Sequence, residues 1–397
     1  MISKFDVLRF GIIGLGGATS QMLPSLVAHP RVKLKACADL NADARNRFAA
    51  DFDLRPYAEV EALCADSAID AVYVATPHKW HRTHVIMAAE AGKHIIVEKP
   101  MALSLEDCDM MIDAAEKNGV RMVVGHTHSF DAPIMKMHKI ISAGDLGPVT
   151  MINSFSYNNF LYRPRSREEL DTIRGGGIIF NQVPHQIDVV RFLGGGMVHS
   201  IRSATSIMDP DRPTEGSHAT FLQFTTGAAA VLVYSGYDFF DSDAFYGWIG
   251  ELGERREPGG NGDARDLLQS MSSQEEEAAL KGLRAYSKKP LINVARYHPH
   301  CGVTIVSCAD GDLRPTPDGV MVYGKKGPVE IKIPPGRAFP DKGSVIDELY
   351  ESIVQGRDPV RNGRWGKATM EASLAVLESA RTKTEIVLEH QISVVTI

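Results

Sequence analysis

Apolar positions in the first part of the chain fall into short unbroken runs separated by amphipathic stretches. The runs Arg9-Phe10-Gly11-Ile12-Ile13, 32–38, Ala71-Val72-Tyr73-Val74-Ala75, His94-Ile95-Ile96-Val97 and 120–125 have the length of strands buried on both faces. Between them, 20–28, 44–51, 58–65, 83–91 and 106–118 read as helices, and Gly92 and Gly119 stop two of these. Such regular alternation predicts an α/β domain, a doubly wound parallel sheet, over residues 1–128. From about residue 131 the pattern becomes longer and alternating, at 149–157, 198–206, 219–224 and 229–235. That texture predicts an α+β domain over 129–397, a mostly antiparallel sheet with one face under helices. Helices at 345–355 and 367–383 and a strand at 385–388 close the chain. Residues 251–290 are polar and contain the break Pro258-Gly259-Gly260-Asn261-Gly262, then a probable exposed helix at 274–286. They read as an insertion, either a lid, a subunit contact or a surface excursion.

The length of 397 residues agrees with two domains. A net charge of −6 without a basic stripe argues against a nucleic-acid or membrane-surface partner. No apolar stretch is long enough to span a bilayer and the first ten residues lack a signal-peptide core, so a cytoplasmic location is expected. Cys37, Cys64, Cys108, Cys301 and Cys308 are scattered and odd in number, as reduced thiols are. His298-Pro299-His300-Cys301 invites a metal reading, but Pro299 intervenes and no second ligand cluster accompanies it, so no metal is expected.

The first strand runs into Gly14-Leu15-Gly16-Gly17-Ala18-Thr19, then a helix, a second strand and Asp39. This is the context a dinucleotide fingerprint requires. Gly14 permits the turn, Gly16 lets a pyrophosphate approach the backbone, and Gly17, Ala18 and Thr19 open the helix whose N-terminus favours anions. Thr19 stands where the fingerprint has its third glycine. Asp39 can accept both ribose hydroxyls and would repel a 2′-phosphate, so NAD is the expected cofactor, while Arg45 leaves NADP open.

Two further stretches carry candidate chemistry. In Val97-Glu98-Lys99-Pro100 the proline holds Lys99 extended at the C-terminal edge of a strand, the edge where open parallel sheets bind ligands. After Gly175-Gly176-Gly177 comes Asn181-Gln182-Val183-Pro184-His185-Gln186-Ile187-Asp188. On one helix Asn181, His185 and Asp188 would share a face and present an imidazole to a cleft. His126 and His128, just after the last strand of the first domain, are candidates for the same cleft.

These segments, with Thr76-Pro77 and His81 and with Gly92-Lys93-His94 leading to Glu98, make the chain resemble the glucose-fructose oxidoreductase, inositol dehydrogenase and rhizopine-catabolism (Gfo/Idh/MocA) family along nearly its whole length. The resemblance implies a Rossmann domain with Thr76, Pro77, His81 and Glu98 on the cofactor side, and Lys99 and His185 at the reacting carbon beside the nicotinamide. Many polyol-oxidising members have aspartate where this chain has Asn181. An amide can orient an imidazole but cannot stabilise its cation by charge.

The runs 181–188, 246–251 and 306–312 resemble the phthalate dihydrodiol dehydrogenase branch of that family. The implied reaction is oxidation of a cis-diol, phthalate 4,5-cis-dihydrodiol, to 4,5-dihydroxyphthalate. Such a dianion needs cations, and Arg163 and Arg165, with Arg167 beside them, are candidates for a carboxylate clamp. His128 and Asp188 complete the expected substrate contacts. Other readings are a sugar or inositol dehydrogenase of the same family, and a non-catalytic NAD-sensing binder. The partners expected are a small-molecule substrate and further copies of the chain in a homodimer or homotetramer.

Overall fold

The computed structural model describes residues 6–125, 128–237, 239–259, 262–283, 286, 297–338 and 340–395. The chain divides into two compact units. The first comprises Met1–His126, Gly282–Ala295 and Gly336–Lys367, so two stretches from later in the sequence join the N-terminal part. The second comprises Thr127–Lys281, Arg296–Pro335 and Ala368–Ile397.

In the first unit, β1 (Leu8–Ile13), α1 (Gly17–Ala28), β2 (Val32–Ala38), α2 (Ala42–Phe52), β3 (Arg55–Tyr57), α3 (Val60–Cys64), β4 (Ala71–Val74), α4 (His81–Glu90), β5 (His94–Glu98), α5 (Leu105–Lys117) and β6 (Met122–Gly125) follow in order. The strands pair in the order β3-β2-β1-β4-β5-β6, all parallel. The crossover between β1 and β4 is the topological switch at which such sheets bind ligands. Strands β1, β4 and β5 are apolar on both faces because helices cover both, and Phe10, Ile12, Val72, Ile95 and Ile96 are fully buried. The short edge strand β3 carries Pro56, which is tolerated where no ladder donor is required.

The second unit begins with α6 (Ala132–Ala143) and β7 (Val149–Tyr157), then α7 (Gly177–Asn181) and α8 (Val183–Leu193). Next come β8 (Val198–Ser206), β9 (Ser217–Phe224), β10 (Ala229–Ser235), α9 (Asp263–Gln269), α10 (Gln274–Gly282), β11 (Val303–Cys308), β12 (Gly311–Thr316), β13 (Gly319–Gly324) and β14 (Gly327–Lys332). Helix α11 (Gly343–Gln355) belongs to the first unit, α12 (Gly363–Thr382) spans the boundary after Lys367, and the short β15 (Ile386–Val387) follows in the second. The sheet order is β14-β13-β12-β11-β7-β10-β9-β8-β15, antiparallel except for β7 with β10. Helix α8 is buried along its whole length. Gln186 stitches it to the sheet, donating to the Val233 carbonyl at 3.2 Å and pairing with His218 at 3.1 Å. The other face shows Met151, Phe221 and Val231 partly exposed. No helix among the described residues is long and apolar enough to cross a membrane.

The polar stretch 251–290 is tied down where it is described. Glu277 on α10 is buried, accepts from the Arg165 backbone N–H at 2.6 Å and pairs with Arg212 at 2.7 Å. The helix ends at Gly282, short of the expected residue 286.

Candidate active site

Gly14 has φ +91°, and a Cβ there would stand 2.7 Å from the Ala75 carbonyl oxygen, so only glycine fits. At Gly16 and Gly17 an added Cβ would meet nothing within 4 Å. Helix α1 starts there without a side-chain cap or an acidic residue in its first turn. Its first N–H groups are thus open to a pyrophosphate, the arrangement a dinucleotide needs. Thr19 is fully buried, and its hydroxyl donates to the Gly14 carbonyl at 2.6 Å. It therefore closes the turn from inside. Asp39 accepts from the Leu15 N–H at 2.6 Å and the Asn41 N–H at 2.7 Å, which fixes its carboxylate at the end of β2. Arg45 donates to the Asp39 backbone carbonyl at 2.6 Å.

At the ends of β4 and β5, the buried Tyr73 hydroxyl donates to Glu98 at 2.6 Å. Burial and the Glu98 charge push the phenol well above its ordinary range. His81 is fully buried, with one ring nitrogen 2.8 Å from the Thr76 carbonyl and the other 3.0 Å from that of Pro100. Burial lowers its pKa despite both carbonyls. It ties the loop carrying Thr76 and Pro77 to the loop carrying Lys99. Enclosed in this way, His81 fixes those two loops relative to each other. Thr76 pairs with His84 at 3.0 Å. Lys99 follows β5 directly, at the carboxyl edge of the sheet, and is half-buried.

In the second unit, the single helix expected for Asn181, His185 and Asp188 is broken. Pro184 lacks an N–H and its ring would clash with the carbonyl four residues back, so the chain bends at Gln182, between α7 and α8. Asn181 donates its amide to the Gly177 carbonyl at 2.8 Å within α7. Asp188 is buried beside Arg191, whose fully buried guanidinium it helps keep charged; burial nonetheless lowers Arg191 to about 10. Asp188 thus stands as an internal counter-charge to Arg191.

His185, on α8, is 6% exposed and meets His128 edge-on, ring centroids 4.7 Å apart. Nδ1 of His128 pairs with Asp131 at 2.8 Å, and Nε2 lies 3.5 Å from Glu251. Burial opposes a charge on His128, but the two carboxylates outweigh it and push the ring up to about 9. Burial likewise raises Glu251, yet His128 and Arg163 outweigh it and hold the carboxyl well below its usual range. Arg163 is 3.6 Å from Glu251 and donates to Asn159 at 2.7 Å. His126 lies outside the described residues.

The other two arginines of the expected clamp are committed elsewhere. Arg165 is buried, donates to the Phe160 carbonyl at 2.8 Å and stacks on the Phe160 ring. Arg167 pairs on the surface with Glu275. His298 and His300 bond the carbonyls of Ile333 and Ile249 at 3.0 and 2.8 Å. Two contributors escape sequence reasoning, Glu251 and Tyr286. Both lie in or beside a polar stretch that gives no periodic signal, although Glu251 closes the run Tyr246-Gly247-Trp248-Ile249-Gly250.

A family model described as an oxidoreductase family, NAD-binding Rossmann fold, matches residues 8–126, and one described as the GFO/IDH/MocA C-terminal domain matches residues 134–253. Among curated proteins the chain is similar to 1-carboxy-3-chloro-3,4-dihydroxycyclohexa-1,5-diene dehydrogenase of Comamonas testosteroni, 38% identical over 94% of this chain and 95% of the relative. It is also similar to myo-inositol 2-dehydrogenase of Thermotoga maritima, 28% identical over 58% of this chain and 71% of the relative. Among solved structures, a Bordetella bronchiseptica RB50 protein provisionally named a dehydrogenase matches with a TM-score of 0.91 and 43% identity, covering 96% of this chain and 100% of that one. The WlbA dehydrogenase of Bordetella pertussis, solved with NADH and UDP-GlcNAcA, shares the fold at a TM-score of 0.67 and 21% identity, covering 96% and 99%. Matched by both models, the chain belongs to the Gfo/Idh/MocA family of oxidoreductases and opens with its NAD-binding Rossmann domain.

Proposed function

We propose that this oxidoreductase oxidises a cis-diol on a cyclohexadiene ring that bears at least one carboxylate, giving the catechol. The observation that carries the reading is the end-to-end similarity to a relative named for a carboxylated dihydroxycyclohexadiene. The partly exposed guanidinium of Arg163, linked through Glu251 and His128 to His185, supports it, because it offers one cation to an acidic ring near an acceptor for a hydroxyl proton. With Arg165 and Arg167 committed elsewhere, support extends to one carboxylate more firmly than to the two of a phthalate-type diol.

Bound NAD supplies the hydride acceptor for the carbinol carbon. Lys99 is assigned to the alcohol oxygen and His185 to the proton that leaves it. The carbinol C–H bond breaks with its electron pair, the O–H proton passes to the imidazole, and a ring ketone results. Transfer of the proton from the neighbouring carbon to the ketone oxygen then converts this ketone to the aromatic catechol, so the second step draws the first forward. A cation such as the partly exposed Arg163 near the ring carboxylate would hold the diol in one orientation.

A panel of cis-dihydrodiols of benzoate and phthalate, with myo-inositol and glucose as controls, tests the reading at the NADH absorbance band. Reduction of NAD with a carboxylated dihydrodiol and not with the polyols is expected. Turnover of inositol alone would select a sugar or inositol dehydrogenase, and tight NAD binding without turnover of any of them a sensing role.

A further inference from the structure

We infer that His128 is a positioning residue whose fixed positive charge keeps the His185 imidazole in its neutral, proton-accepting form. The inference rests on the reading above, in which His185 receives the hydroxyl proton. Its basis is the arrangement around the His128 ring. Each nitrogen faces a carboxylate, Nδ1 that of Asp131 at 2.8 Å and Nε2 that of Glu251 at 3.5 Å. An imidazole with an acceptor at both nitrogens is satisfied only when both carry protons. His128 and Asp131 have side chains only 3% exposed, so solvent screens little of the field between them.

The surrounding charges hold this state. Glu251 is steadied by Arg163 at 3.6 Å, and its backbone carbonyl accepts the His300 N–H at 3.1 Å. His300 does not compete for the charge. Its Nε2–H donates to the Ile249 carbonyl at 2.8 Å while Nδ1 accepts the Gly302 N–H at 3.2 Å, the pattern of a neutral ring. Beyond His300, 3.6 Å away, Asp243 pairs with Arg256 at 2.6 Å, and Asp241 pairs with the same guanidinium at 2.7 Å. The ring packed against His185 is therefore a held cation, with centroids 4.7 Å apart and planes at 75°. A proton added to His185 would face that cation across a buried contact, which disfavours the imidazolium. Asn181 stands where many relatives are expected to have an acid, and its amide is directed to the Gly177 carbonyl. The charge acting on the base thus comes from a different element and has the opposite sign.

The test titrates the histidine side chains of the full-length protein by NMR with ¹⁵N-labelled histidine, comparing wild type, His128→Asn and His128→Lys. In His128→Asn the His185 midpoint is expected to rise by about one pH unit, because a cation is lost while Asp131 and Glu251 remain. In His128→Lys the midpoint should stay near the wild-type value. The acid limb of kcat/KM with a carboxylated dihydrodiol should shift in parallel. An unmoved His185 midpoint in His128→Asn, or an equal shift in His128→Lys, would overturn the inference. A His185→Asn variant with undiminished turnover would instead remove His185 from the reaction, and the titration would still decide what sets the charge on its ring.

Discussion

The backbone N–H of Tyr286 donates to the carbonyl oxygen of Leu15 at 2.9 Å, which fastens a residue from the polar second half of the sequence to the glycine turn. The tyrosine is buried, its ring meets Phe48 edge-on at 4.8 Å, and its hydroxyl donates to Asp51 at 2.7 Å. Leu15 is thus held on one side by Asp39 and on the other by Tyr286. Replacing Tyr286 by alanine removes the ring that seats this contact and should weaken NAD binding about tenfold, equivalent to ~1.4 kcal/mol. Tyr286→Phe keeps the ring and should stay within about threefold of wild type. Isothermal titration with NAD checks both, and equal affinities for wild type and Tyr286→Ala would detach the residue from the cofactor.

We propose that Asp39 governs the choice between the two dinucleotides. Its carboxylate is fixed by two backbone N–H groups at the end of β2, so a 2′-phosphate meets a negative charge that cannot swing away. Arg45, held on the Asp39 carbonyl at 2.6 Å, is the cation that would greet that phosphate once the acid is gone. Asp39→Ser should therefore move the NAD-to-NADP ratio of kcat/KM toward NADP by about a hundredfold, which is ~2.7 kcal/mol. A wild-type enzyme that already preferred NADP would contradict the role given to Asp39.

The legibility of the sequence tracks how local each signal is. The parallel sheet was readable because β1, β4 and β5 are buried on both faces and appear as unbroken apolar runs, and Gly14 because no other residue fits its turn. Strands β12 to β14 were missed. Nearly every position of β14 is exposed, so no inward face imposes alternation there, while the buried Leu313 of β12 and Val320 of β13 are too few apolar positions to stand out as a pattern. At the candidate site, the motif points to His185, but a single helix through Asn181 is incompatible with Pro184. Glu251 and Tyr286 could not be found by spacing, because each acts through a contact distant in sequence.

Arg163 and Arg165, two residues apart, should respond in opposite ways to alanine. Arg165 is buried against Phe160 and leaves the Phe160 carbonyl without its donor when truncated, so Arg165→Ala should cost about 2–3 kcal/mol of stability. Arg163 is partly exposed, so Arg163→Ala should leave the melting temperature nearly unchanged and raise KM for a carboxylated diol about tenfold. Thermal melts and steady-state kinetics on the two variants separate the roles. A KM unchanged in Arg163→Ala would exclude that guanidinium from substrate binding.

The same buried ring that faces His185 should make stability depend on pH in a definite direction. His128 is raised in the folded protein from 6.5 to about 9: burial opposes the charge, and Asp131 and Glu251 outweigh it. A histidine with a raised folded pKa contributes its full stabilisation below the unfolded value and loses it as pH rises through the folded one. The window is therefore about pH 6.5 to 9, and the ring's contribution over it is at most ~3.4 kcal/mol, from 1.36 kcal/mol for each pH unit. Wild type should melt at progressively lower temperature across that range. His128→Asn, which has nothing to titrate at this position, should be less stable at pH 6 and show a flatter decline. Other groups that titrate above pH 7 act in both proteins, so the difference between the two melting curves isolates this ring. Parallel curves from pH 6 to 9.5 would mean that His128 is not held as a cation between Asp131 and Glu251.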